Sequence, residues 1–179
     1  MDTFQQFKIK TTSGKGSFKV VDSTQKTIEL VYEKWVNGVS RSLYNNIYIK
    51  PVNVWGVETY IYKNDKKVGQ IISGLGSMTI KIENLNEEKL KYLLQYSTPK
   101  LLKLDIFNEQ NELQFSMSED INSNFLCNKI TRDYCIEMGK YDAEIDIAEL
   151  LIYCGYAARK YLSITDCNYY YAQSLKFKN

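Results

Sequence analysis

Histidine is missing from the 179-residue chain. This residue is the usual general base near neutral pH and the commonest nitrogen ligand of zinc in proteins. Its absence excludes Ser-His-Asp and Cys-His activation of a nucleophile, as well as any histidine-ligated metal centre. Catalysis would have to rest on carboxylates, Lys, Tyr or Cys alone, so the composition favours a protein that is not an enzyme.

Arginine is scarce and the charge is nearly balanced. Lys and Arg number 23 against 21 Asp and Glu, a net charge of +2, and the only arginines are Arg41, Arg132 and Arg159. Domains that bind nucleic acid usually carry a strong basic excess and use the guanidinium fork to hold phosphates. The sequence therefore predicts no nucleic-acid partner.

The spacing of the cysteines does not indicate a metal-binding or redox site. The four residues, Cys127, Cys135, Cys154 and Cys167, have spacings that fit neither a CxxC-type zinc site nor a redox motif. The N-terminal MDTFQQFKIK lacks the basic-then-apolar pattern of a signal peptide. We therefore expect a cytoplasmic protein with reduced thiols and with no metal or cofactor.

Tyrosine, by contrast, is abundant, with 15 residues, and it suits strands that have one wet face. Alternating runs between turn signals recur along the first 140 positions. The clearest is VETYIYK-NDKK-VGQIIS, a hairpin that places Tyr60 and Tyr62 on one strand face. One segment, NLNEEKLKYLLQYS, breaks the alternation and predicts a short helix over Glu87–Gln95. The remaining strand runs recur about every 8–12 residues, the spacing of a barrel or sandwich.

The segment from Ala143 to Leu162 is the one long predicted helix. Asp142 is its expected N-cap. Acidic residues occupy its first turns and Arg159 and Lys160 occupy its last turn, so both ends carry the charge that interacts favourably with the helix dipole. Its apolar run, close to 12 residues, is too short to span a membrane, which takes about 20. No transmembrane segment is therefore predicted.

The apolar surface of this helix extends nearly all the way round, so we expect a core helix enclosed by the preceding sheet. Small side chains at Gly155, Ala157 and Ala158 would let the walls come close. The predicted core positions are Ile147, Leu150, Leu151, Cys154 and Ala158. The fold prediction is one mostly-β α+β domain over residues 1–179, an antiparallel barrel or strongly curved sheet of about 10–12 strands around this helix. The Tyr-rich stretch 162–179 is expected to form a tail or strap.

This element order, many antiparallel strands and then DYCIEM followed by AEIDIAELLIYCGYAARKYL, resembles the tubby-like barrel superfamily, which includes phospholipid scramblases and LURP-one-related proteins. The resemblance covers roughly residues 15–162. It implies a closed barrel of about twelve strands around a hydrophobic C-terminal helix. It also implies a non-enzymatic role in binding phospholipid headgroups or a membrane surface.

The expected lipid contact is a basic cluster at the hairpin tip KNDKK, formed by Lys63, Lys66 and Lys67. The competing explanation is that these charges only keep the hairpin soluble. Two other functions stay open: a protein–protein scaffold, and a small enzyme that uses carboxylates. For the enzyme the candidate pairs are Glu119 with Asp120 and Glu144 with Asp146.

Overall fold

Twelve antiparallel strands close into a barrel around one long helix. The computed structural model describes residues 6–33, 38–52, 57–74, 76–84, 87–98, 103–120, 132–141 and 144–176. The strands are β1 Phe7–Thr11, β2 Phe18–Val21, β3 Thr27–Tyr32, β4 Ser40–Ser42, β5 Ile47–Pro51, β6 Glu58–Lys63, β7 Lys66–Ser73, β8 Ser77–Glu83, β9 Lys89–Thr98, β10 Lys103–Phe107, β11 Leu113–Glu119 and β12 Tyr134–Met138. A 3₁₀ turn, Tyr44–Asn46, precedes β5, and helix α1 is Ile147–Lys176. The predicted fold class is confirmed.

Each strand pairs with its neighbours in sequence, and β1 pairs with β12 to close the barrel. Alternation decides which side chains point inward, as β3 shows: Ile28, Leu30 and Tyr32 are buried, and the residues between them are exposed. Closure leaves no free sheet edge. The barrel interior and the helix side chains form a single hydrophobic core.

Helix α1 fills the barrel. Every residue from Leu150 to Lys160 is buried. Of the predicted core positions, Leu150, Leu151, Cys154 and Ala158 are at most 1% exposed, and Ile147 is half-buried against the same core. Gly155 faces the wall, where an added Cβ would lie 2.7 Å from Cζ of Phe18. The small residue therefore lets the helix come close to β2, as the sequence predicted.

The bounds of this helix differ from those predicted. It begins at Ile147, because Oδ1 of Asp146 accepts the amides of Ala148 and Glu149 at 2.9 and 3.1 Å and caps the first turn. The predicted cap, Asp142, lies outside the described residues. The helix continues to Lys176, well past Leu162, since no glycine or proline follows Gly155 to end it. The stretch predicted as a separate tail is helical as far as Lys176.

The predicted helix over Glu87–Gln95 is wrong, because residues 89–95 belong to strand β9 and residues 87–88 lie in the connection before it. Leu90, Tyr92 and Leu94 point inward, residues 89–95 pair with β8, and residues 93–98 pair with β10. Helical propensity from the charged residues is outweighed here by burial of every second side chain.

The strands run alternately up and down, so the barrel has two distinct ends. We call them the Glu149 end, where α1 begins, and the Arg159 end, toward which it runs. No helix among the described residues has a stretch long and apolar enough to cross a membrane.

Candidate anion-binding surface

The outer wall of the barrel carries two rows of cross-strand neighbours that are rich in basic and tyrosine side chains. The first row runs Arg41–Tyr48–Tyr62–Lys67 over β4 to β7, and the second runs Lys50–Tyr60–Gln70–Lys81–Lys91 over β5 to β9. Neither row contains an acidic side chain. We call these nine residues the basic aromatic face.

Ring contacts tie the two rows together. The Tyr62 ring lies 5.8 Å from that of Tyr48 and 6.5 Å from that of Tyr60, measured between centroids. The Arg41 guanidinium lies 4.9 Å above Tyr48, and the Lys67 ammonium lies 3.3 Å above Tyr60. Such cation–π contacts hold the cations over a tyrosine platform while they stay exposed to solvent.

Acidic residues border this face. Glu58 and Glu83 lie two positions from Tyr60 and Lys81, on the outward side of β6 and β8. Glu33 forms an ion pair with Arg41 at 2.6 Å, across the β3–β4 connection. Both side chains are largely exposed, so the pair is weak and is screened by salt. The four lysines of the face make no ion pair within the described part of the chain.

The far wall of the barrel has a different charge pattern. There the cross-strand neighbours Asp105, Ser116 and Glu137 form a row over β10, β11 and β12. Lys103 lies 3.8 Å from Asp105 on the same wall, so this row carries mixed charge, whereas the two rows of the basic aromatic face carry cations only.

A concavity of about 590 Å³ lies over β7, β8 and β9 at one side of the basic aromatic face. Four lysines line it, Lys67, Lys81, Lys89 and Lys91, against two acids, Glu83 and Glu109. Its apolar lining comes from Val68, Ile82 and Leu90. The volume falls in the range of small-molecule sites, roughly 300–1,000 Å³, and the charge suits an anionic group.

The three lysines predicted from the hairpin tip have different surroundings. Lys63 turns inward, and its ammonium lies 2.8 Å from Glu149 at the start of the helix. Lys66 is exposed beside the tight turn at Asn64 and Asp65, whose φ values of 50° and 63° are left-handed. Only Lys67 joins the basic aromatic face. Sequence reasoning missed Arg41, Lys81 and Lys91. Strand alternation would have placed Lys81 outward, but Lys91 lies in the segment that was predicted as a helix.

The carboxylates considered for catalysis make structural contacts, as Glu119, Asp120 and Asp146 show. Glu119 binds the guanidinium of Arg132, and Asp120 lies 3.6 Å from the Lys8 ammonium. Asp146 caps the helix and accepts the Tyr44 hydroxyl at 2.9 Å. Among the described residues, no group of three or more Cys, Asp or Glu side chains could hold a metal ion.

The two cysteines whose side chains are described are poor nucleophiles. Cys154 is buried within the helix core, and burial raises the pKa of its thiol far above the usual value. Cys135 is half-buried on β12, where burial first and then the Asp120 carboxylate raise its thiol pKa. A thiolate, the reactive form, is disfavoured at both positions.

Comparison of the chain with protein-family models, with curated proteins and with solved structures finds no match in any of the three. The predicted relation to the tubby-like superfamily thus stays a prediction, and the function has to be argued from the surface itself.

Proposed function

We propose that this protein is an intracellular, non-enzymatic binding module that recognises anionic phospholipid headgroups at a membrane surface through the basic aromatic face. The observation that carries the proposal is the alignment of five cations and three tyrosines in two continuous rows without an acidic side chain. These residues come from six strands that pair in succession, so it is the register of the strand pairs that brings them together.

The residue types match the chemistry of a membrane interface. Each lysine or arginine close to an anionic leaflet contributes about 1 kcal/mol of attraction, and this attraction falls off within a Debye length. Tyrosine places its ring among the headgroups and keeps its hydroxyl in water. The lysine-lined concavity offers a place for a headgroup phosphate, where several ammonium groups can approach the same oxygens.

Exposed apolar side chains flank the face at both of its ends. Leu43 is fully exposed in the turn between β4 and β5, and Val52 and Val57 are exposed at the opposite end, where β5 leads into β6. They can enter the region below the headgroups while the lysines stay at the phosphate level. The row of Asp105, Ser116 and Glu137 then points away from the membrane.

The test is co-sedimentation with vesicles of neutral, anionic and phosphoinositide-containing composition, at low and moderate salt. The key variant is Lys81→Gln/Lys91→Gln, which removes one directly paired set of cations from the face. The matched control is Lys10→Gln/Lys19→Gln, a directly paired set of exposed and half-exposed lysines on β1 and β2, across the barrel. Both variants change the net charge equally, so they separate this face from charge in general.

We expect the wild type to bind only the anionic vesicles and to be released by salt. The key variant should lose about tenfold or more in its partition coefficient, and the control should lose far less. Equal losses in both variants, or no vesicle binding by the wild type, would reject the proposal. Salt-dependent binding to single-stranded RNA without vesicle binding would instead assign the face to nucleic acid.

A further inference from the structure

Two cavities meet on the barrel wall near the Glu149 end. The larger is the concavity of about 590 Å³ beside the basic aromatic face, and the smaller has a volume of about 200 Å³. Leu90, Lys91 and Glu109 line both cavities, so the two form one groove. It runs from β7 and β8 across β9 to the turn between β10 and β11. We call it the two-cavity groove.

Opposite charges line the two halves of this groove. The larger cavity has four lysines and two glutamates, so its lining charge is +2. The smaller cavity has three glutamates, Glu88, Glu109 and Glu144, and one lysine, Lys91, so its lining charge is −2. A ligand that spans both halves therefore meets ammonium groups at one end and carboxylates at the other.

The charged side chains of the groove are not paired with each other in the described part of the chain. Lys89 lies directly opposite Glu83 in the β8–β9 pair, yet no ion pair joins them. Glu109 likewise makes no ion pair with any described residue. Elsewhere on the surface such charges do pair, as Lys140 does with Glu112 at 2.8 Å. The charges of the groove are thus available to a ligand.

The carboxylates of the smaller cavity suit an organic ammonium group better than a metal ion. A hard cation needs several oxygens at about 2.0–2.6 Å from one point. Among the described residues no group of three or more acidic side chains could hold such an ion. A primary ammonium has three donors and makes charge-assisted hydrogen bonds to single carboxylates. Glu109 is the best placed acceptor, because it lines both cavities.

The lysines of the larger cavity suit a phosphate group. Lys81 and Lys91 are direct cross-strand neighbours, and the Cβ atoms of such pairs lie about 4.5–5.5 Å apart. Both ammonium groups can therefore reach the oxygens of one phosphate. The same two lysines belong to the basic aromatic face, so the groove opens beside the surface proposed to contact the membrane.

We propose that the two-cavity groove selects phospholipid headgroups that carry a primary ammonium beside the phosphate and are negatively charged overall, which describes the phosphoserine headgroup. This inference rests on the proposed membrane function and adds headgroup selectivity to it. The phosphate and carboxylate of the headgroup bind the lysines of the larger cavity, and its ammonium donates to Glu109. A headgroup without an ammonium, such as phosphoglycerol, brings its negative charge close to Glu109 without a compensating cation.

The test compares vesicles that contain phosphatidylserine with vesicles that contain the same mole fraction of phosphatidylglycerol, both in phosphatidylcholine. The two have the same surface charge, so the ratio of the two partition coefficients measures headgroup selectivity alone. The key variant is Glu109→Gln. The matched control is Glu137→Gln, which removes one exposed carboxylate from β12 on the far wall. Calorimetry with O-phosphoserine in the absence of vesicles distinguishes a lipid ligand from a free phosphorylated amine.

We expect the wild type to bind phosphatidylserine vesicles about fivefold more strongly than phosphatidylglycerol vesicles. Glu109→Gln should bring this ratio close to one, because it weakens binding of the ammonium-bearing lipid and strengthens binding of the other. Glu137→Gln should keep the wild-type ratio. O-phosphoserine alone should bind with a Kd weaker than about 1 mM, since the leaflet supplies the further attraction to the basic aromatic face.

Equal binding of the two vesicle types by the wild type would reject the selectivity and leave the proposed membrane function intact. Absence of binding to both types would reject the membrane function itself, and the selectivity with it. A preference that survives in Glu109→Gln, or that Glu137→Gln also loses, would show that the groove is not its source. Binding of O-phosphoserine tighter than about 100 µM would assign the groove to a soluble phosphorylated amine instead of a lipid.

Discussion

The Lys63 ammonium lies 2.8 Å from the Glu149 carboxylate, and this ion pair ties the end of β6 to the first turn of the enclosed helix. Glu149 is buried and also accepts the Asn45 amide at 2.9 Å and the Tyr153 hydroxyl at 2.7 Å. The two carboxylate oxygens of Glu149 thus accept hydrogen bonds from three side-chain donors. The arrangement sets where the helix begins relative to the barrel wall.

Replacing Lys63 by Met should destabilise the protein by about 3 kcal/mol, because Glu149 would keep a buried charge without its cation. Chemical denaturation with a two-state fit measures the change in the free energy of unfolding. The double variant Lys63→Met/Glu149→Gln should recover part of the loss, since it removes the uncompensated charge as well.

The comparison variant is Lys140→Gln, which breaks the solvent-exposed pair that Lys140 forms with Glu112 at 2.8 Å. Its effect should be much smaller than that of Lys63→Met. Similar losses for the two single variants would show that burial of Glu149 does not control the strength of its ion pair.

Replacing Gly155 by Ala should destabilise the barrel by about 1–3 kcal/mol, because the new Cβ would lie 2.7 Å from the buried Phe18 ring. Alanine favours an isolated helix by about 1 kcal/mol relative to glycine, so helix propensity alone predicts the opposite sign. Unfolding free energies of Gly155→Ala, Phe18→Leu and the double variant measure the coupling. The double variant should be more stable than the sum of the two single effects predicts. If Gly155→Ala instead raises the free energy of unfolding, the barrel wall is not tightly packed at Phe18.

Lys160 should make the stability depend on pH above neutrality. Burial lowers the pKa of its ammonium from 10.5 to about 8. Between these values the unfolded chain binds a proton that the folded chain does not, so the free energy of unfolding rises with pH in this window. The rise from this residue is at most roughly 3 kcal/mol.

Lys160→Met isolates this effect, because contributions from buried tyrosines cancel between the two proteins. The variant should be more stable than the wild type at pH 7, and its advantage should shrink by pH 9.5. Denaturant unfolding at the two pH values measures the difference. If the stability difference between the variant and the wild type is the same at both pH values, the pKa of Lys160 in the folded protein is close to its pKa in the unfolded chain.

Much of the architecture could be predicted from local pattern. Alternation in segments such as Thr27–Tyr32 identified most strands, and the nearly all-round apolar surface of Leu150–Ala158 predicted an enclosed helix. Pattern failed at β9, where charges suggested a helix but pairing with β8 and β10 decides the conformation. It also failed at the end of α1, since Arg159 and Lys160 resemble a final turn and instead lie buried within the helix.

The residues of the proposed functional surface could be predicted much less well from the sequence. The hairpin tip drew attention because Lys63, Lys66 and Lys67 are neighbours in the chain, yet Lys63 points to Glu149 and only Lys67 joins the basic aromatic face. Arg41 and Lys91 are 50 positions apart and share that face only through the registers of five successive strand pairs.

The sequence by itself determined most of the strands, the presence of one buried helix and the absence of histidine chemistry, because these follow from composition and from neighbours a few positions apart. Only the tertiary structure decided the closure of β1 on β12, the rows of cations on the outer wall and the two-cavity groove beside them. Those features depend on pairing register and on distant residues such as Lys67 and Glu109, which line one cavity and which no local pattern brings together.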